Sequence, residues 1–75
     1  MKELTKQSID SYINDKVPPA SFLKAVYENN LMMAVTKADL DNLRDLKEIV
    51  CYIYNEAPSV CWGSPAKVAA WLASR

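Results

Sequence analysis

The chain has no histidine, one glycine and two cysteines in 75 residues. Without histidine, the commonest general base and the commonest metal ligand are missing. A single glycine, Gly63, cannot build a phosphate-cradling loop, and Gly63-Ser64-Pro65 lacks the second glycine of a nucleophile elbow. Asp39-Leu40-Asp41-Asn42 alternates oxygen ligands but has neither the glycine nor the closing glutamate of a calcium loop, so these acids read as helix-start carboxylates. Cys51 and Cys61 do not form C-x-x-C and cannot complete a zinc set. They read as a buried helix thiol and a loop thiol in a reducing compartment, with a disulfide between them as the alternative. No metal or cofactor is implied, and the chain reads as non-enzymatic.

An excess of charge of one sign is also lacking. Nine Lys and Arg balance nine Asp and Glu, with the signs interspersed. No basic patch is visible to neutralise a run of phosphates, which argues against nucleic acid as a direct partner. No apolar run approaches the ~20 residues that span a bilayer. The start, Met1 to Ser8, has no apolar stretch of the kind found in signal peptides. A soluble, cytoplasmic protein with no membrane role is expected.

What is present is apolar and helical in pattern. Apolar residues make up 51% of the chain, enough for one domain. At this length a core supplies only about 3–5 kcal/mol of net stability. Ile9, Tyr12 and Ile13 mark a helix over residues 5–14, which Val17-Pro18-Pro19 stops. Pro19 is placed in the first turn of a second helix that runs through Ser21 to about Asn29, with Lys24 and Glu28 paired on its outer side. Asn29-Asn30 supplies the stop, and residues 31–37 read as a short buried helix with Met32 and Met33 filling gaps in the core.

Residues 40–55 then read as one long helix capped by Asp39 or Asp41. Ile49, Ile53, Leu46, Val50, Leu43, Tyr54, Leu40 and Cys51 share an arc of roughly 200° on its wheel, about twice the usual stripe. Such a helix should be wrapped by the others. Leu46→Ala or Val50→Asp is then expected to unfold the domain. Ser64-Pro65 opens a last helix over residues 66–74, with Val68, Trp71 and Leu72 inward. The expected fold is all-α, a single-domain bundle of four to five short helices around a central helix at about 40–55.

Candidate contact residues follow from the same wheel. Tyr52 falls opposite the apolar arc among Asp41, Asp45, Glu48 and Glu56: either a solvated helix face that tolerates one tyrosine, or an exposed aromatic in an acidic stripe fit to grip a basic partner surface. On this reading Tyr52→Ala leaves folding intact. Trp62, in the loop beside Gly63, either plugs the bundle or anchors a partner. Any part of the wide arc left uncovered would favour a homodimer or a partner interface. Partner-binding residues are therefore read as Tyr52, Asp45, Glu48, Glu56 and Trp62.

Two blocks carry a resemblance. One is Val17-Pro18-Pro19-Ala20-Ser21-Phe22-Leu23-Lys24-Ala25-Val26 with Glu28-Asn29-Asn30-Leu31 and Ala38-Asp39. The other is Ile53-Tyr54-Asn55-Glu56-Ala57-Pro58, Cys61-Trp62-Gly63-Ser64-Pro65 and Lys67-Val68 with Ala70-Trp71-Leu72. Together they resemble a group of small helical proteins encoded by bacteriophages and prophages. The resemblance covers most of the chain after residue 16 and implies a product that acts inside a bacterium. The expected role is to bind and modulate or inhibit a host or phage protein by occupying its surface. The alternative is a helix-turn-helix regulator of phage genes, against which stands a recognition segment, residues 31–37, that is apolar and carries one cation.

Overall fold

Local sequence signals set most helix ends. The computed structural model describes residues 1–74, of which 74% are helical, with six α-helices and no strand among them. α1 (Glu3–Asp15) ends where Lys16 turns left-handed at φ 55°. Ala20 caps α2 (Ser21–Tyr27), so Pro19 precedes that helix rather than opening it. At the other end of α2, Asn29 takes the left-handed position usually given to glycine, at φ 59°. Its N–H reaches the Val26 carbonyl at 3.1 Å, and the Asn30 N–H reaches that of Ala25 at 2.9 Å. This pair of bonds reverses the chain within three residues, and α2 and α3 (Leu31–Lys37) pack closely together. The Asn30 side chain caps α3 through the Met33 N–H.

The helix expected over 40–55 is divided. Asp39 caps α4 (Leu40–Arg44), and Asp45 interrupts the run at φ −93°, ψ 9° before α5 (Leu46–Glu56). The break is one residue wide, because Ile49 N–H still reaches the Asp45 carbonyl at 2.9 Å. Aspartate is a poor interior residue for a helix and a good first-turn residue, so the division falls where propensity permits it. A single 3₁₀ turn, Ser59–Cys61, follows Pro58, and Ser64 caps α6 (Pro65–Ala73) with Pro65 in its first turn, as the sequence indicates.

The most enclosed helix is α2, not the segment after residue 40. Phe22, Leu23, Ala25 and Tyr27 are all buried. From α5 only Ile49 and Ile53 are buried, while Leu40 is 85% exposed, Val50 44% and Tyr54 70%. The wide apolar arc is thus half covered. Met32, 79% exposed, and Met33 do not fill the core either. The thiols exchange the roles expected of them: Cys51 on α5 is exposed, Cys61 at the end of the 3₁₀ turn is buried, and they are not bridged.

At the centre the rings of Tyr12 and Tyr27 stack, with centroids 4.1 Å apart and planes within 9°. The Tyr12 hydroxyl donates to the Cys61 carbonyl at 2.7 Å. The Tyr27 hydroxyl is buried with no hydrogen-bond partner. The Tyr27 carbonyl accepts from the Gly63 N–H at 2.6 Å, which ties the loop to the end of α2. Gly63 stands at φ 120°, a backbone region that L side chains rarely adopt.

The two tyrosines should therefore answer differently to loss of the hydroxyl. Tyr12→Phe strips a buried carbonyl of its donor and should cost about 1–3 kcal/mol in urea unfolding. Tyr27→Phe removes an unpaired buried polar atom and should leave stability unchanged or raise it. An equal loss in both would contradict this arrangement.

Burial also pushes Tyr12 up to about 12 and raises Tyr27. Their folded values lie above the ordinary value near 10, so this stabilisation is complete below that pH and is lost as pH rises through the folded value of Tyr12. In an alkaline titration, unfolding by circular dichroism should coincide with the late part of the tyrosinate absorbance change. Two fully separate transitions would be inconsistent with buried tyrosines.

Candidate functional site

Four of the five residues singled out in the sequence, Asp45, Glu48, Tyr52 and Glu56, belong to the α4–α5 segment, and α1 lies against part of that face. Tyr52 is half-buried, not exposed. Its hydroxyl donates to Asp10 Oδ1, and Lys6 Nζ donates to Asp10 Oδ2 at 3.0 Å. The Tyr52 hydroxyl and then Lys6 hold the Asp10 carboxyl below the ordinary carboxylate range. The same bond to Asp10 raises Tyr52. Tyr52 therefore clasps α1 to α5.

The acidic stripe is neutralised from within. Arg44 donates to both Asp45 oxygens, at 3.1 and 3.2 Å, and holds the Asp45 carboxyl low. The Met1 amino group donates to Glu48 and lies 3.8 Å from Asp45. Lys2 reaches Asp41 at 2.8 Å. Of the stripe, only Glu56 makes no ion pair among the described residues, and it is exposed. A helical wheel cannot show that α1 docks on this side, because the partners Lys2–Asp41, Asp10–Tyr52 and Met1–Glu48 are 39 to 47 residues apart in sequence.

Trp62 is where sequence and structure meet. It is half-buried, and its indole N–H lies 3.4 Å from the Ala57 carbonyl. Its ring tilts against Tyr54 at 5.8 Å. The pair closes one end of an apolar groove of about 150 Å³. Ala25 and Ala34, both buried and small, form its floor. Leu31, 67% exposed, stands on the α3 wall, and Leu46, Val50, Ile53 and Tyr54 form the α5 wall. Asn29 and Asn30 supply polar groups at the α2–α3 turn. No residue lining the groove is an acid, a lysine or an arginine.

The groove takes up part of the uncovered arc, while Leu40, Leu43 and Cys51 are exposed outside it. Ile49 and Ile53 serve the core and Leu46 packs partly against it, while Val50 and Tyr54, four residues apart, are exposed along the groove. The arc itself was the signal. Which part would stay open depends on where α1 and α2 pack.

The arrangement is suited to binding. Among the described residues no cluster of three or more His, Cys, Asp or Glu could hold a metal ion. Burial pushes the Cys61 thiol up, which keeps it protonated and a poor nucleophile. The short α2–α3 reversal has the spacing of a helix-turn-helix, but exposed Leu31, Met32 and Val35 offer base edges no hydrogen bonds. No described helix is long and apolar enough to cross a membrane.

No protein-family model matches this chain, and no curated protein or solved structure is similar to it. The resemblance to phage and prophage proteins rests on the two sequence blocks alone.

The half-covered α5 overturns the expectation for Val50. Val50→Asp should now shift stability by about 1 kcal/mol or less, as surface changes do, whereas Ile53→Asp buries an unpaired carboxyl and should cost more than about 4. Thermal melts of the two variants make the comparison. Collapse of Val50→Asp would restore the wrapped-helix reading.

Proposed function

We propose that this chain is a small non-enzymatic binding protein that acts by occupying the surface of another protein. The observation that carries the reading is the uncharged groove between α3 and α5, closed at one end by the Tyr54–Trp62 pair. Its volume, about 150 Å³, is below the ~300–1,000 Å³ typical of small-molecule sites. It suits one large side chain of a macromolecular partner. Exposed Tyr54 and its neighbour Trp62 provide aromatic contact area of the kind that concentrates binding energy, and exposed Leu31 adds apolar area. The resemblance to phage and prophage products makes a bacterial host protein, or a phage protein, the natural partner, and the expected consequence is inhibition or modulation of it in the cytoplasm. The binding residues on this reading are Leu31, Val50, Tyr54 and Trp62. Trp62 carries over from the sequence, while Tyr52, Asp45 and Glu48 are engaged within the fold.

Photo-crosslinking in living bacteria tests this directly. A benzophenone amino acid at position 50 should give one discrete adduct with a different protein. The same group at position 15, at the end of α1, should give none. Absence of any adduct from position 50 would remove the groove as the binding site. An adduct of two copies of this chain would replace the foreign partner by a homodimer.

A further inference from the structure

Resting on the reading of the groove as a protein-binding site, we infer the chemistry of its occupant: an amphipathic helix that inserts one large apolar side chain and carries acidic residues on its flanks. The α5 wall from Leu46 to Tyr54 runs about 12 Å at 1.5 Å per residue, two turns of helix. Grooves between helices are commonly filled by the apolar face of a third.

The flanks are set by charge. The lining has no charged residue. Lys2, Lys6, Lys24 and Arg44 are held by carboxylates. Lys16 is bound to Ser74 and Lys67 to the Ser59 carbonyl. Lys37 and Lys47 make no hydrogen bond or ion pair among the described residues, and both are exposed. Lys37 lies three residues after Ala34 on α3, and Lys47 three before Val50 on α5, so each wall helix carries one cation a turn from a lining residue. On α5, Glu48 is occupied by the Met1 amino group, and Glu56 falls about 120° from Val50 around the helix, whereas Lys47 falls within about 20° of Tyr54. The groove is thus apolar with cationic edges. A second copy would bring the same two lysines and no lining acid to this patch, which disfavours it as occupant.

The test uses two synthetic helical peptides with the same leucine–phenylalanine face, one flanked by glutamates and its twin by lysines. Binding to the whole chain is read by fluorescence anisotropy. The glutamate peptide should bind about tenfold more tightly, the sum of two exposed charge pairs gained and two repulsions avoided. Lys37→Glu/Lys47→Glu, both at exposed positions, should reverse the preference with folding confirmed by circular dichroism. Val50→Asp should weaken both peptides. Equal binding of the two peptides, lost in Val50→Asp, would overturn the acidic flank while leaving the groove as a docking site. Binding of neither would overturn both readings. Sedimentation as a dimer that Val50→Asp dissociates would replace the acidic helix by a second copy.

Discussion

The stack of Tyr12 on Tyr27 is the constraint on which the other contacts depend. It joins α1 to α2 face to face, and each partner then passes the connection on. Tyr12 holds the 3₁₀ turn through the Cys61 carbonyl, and its own carbonyl accepts the Trp71 indole N–H of α6 at 2.9 Å. Tyr27 holds the loop through Gly63. Lys16, just beyond α1, lies 4.4 Å over the Trp71 ring and bonds Ser74. Two aromatic residues thus orient α1, α2, the loop and α6, which share little direct helix–helix contact. For a chain this short, polar tips on buried aromatics supply direction that a purely aliphatic core would not.

With α1 fixed by that stack, its outer side meets α5. Ile9 goes fully inward, and Asp10 meets Tyr52 at a sequence separation of 42. This settles which half of the α5 arc is covered. A helix carries only one inward face, and α5 presents Ile49 and Ile53 to the core and its shoulder to water. The shoulder is kept at a cost. Fully covering a leucine stabilises by about 1.5–3 kcal/mol, a large share of what a domain of this size has to spare. Uncovered apolar residues on facing walls, over a floor of two alanines, are what a binding surface looks like when read against that cost.

Local chemistry made much of this legible. The Asn29-Asn30 stop, the α3 limits at Leu31 and Lys37, the Ser64-Pro65 start and the inward Ile9, Tyr12 and Val68 all follow from capping and periodicity. The failures share one cause. Periodicity shows that residues lie on one face and says nothing about which face another element will cover. The wheel places Tyr52, Val50 and Cys51 in environments that the structure reverses for that reason. Cys61 sits in a loop that the Gly63–Tyr27 bond draws inward, a contact between residues 36 apart. The division at Asp45 was within reach, since an aspartate between two helix-compatible stretches is a weak point, but the long apolar arc outweighed it. Trp62 was legible as a candidate because a tryptophan beside the only glycine has to close over something.

The neutral composition conceals how the charges are distributed. When α1 docks on the α4–α5 segment, Lys2 and the Met1 amino group meet Asp41 and Glu48, and Asp10, paired with Lys6 along α1, meets the Tyr52 hydroxyl. The acids of that side, Glu56 apart, are spent within the fold. The groove lies on the other shoulder of α5, where the chain has placed cations and no lining acid. The fold thus turns a sequence with interspersed charges into a surface with one neutralised side and one apolar side edged by lysine. That segregation cannot be read from net charge or from charge order along the chain. It follows from the same aromatic stack that positions α1, so the electrostatic character of the groove and the stability of the core have a common origin.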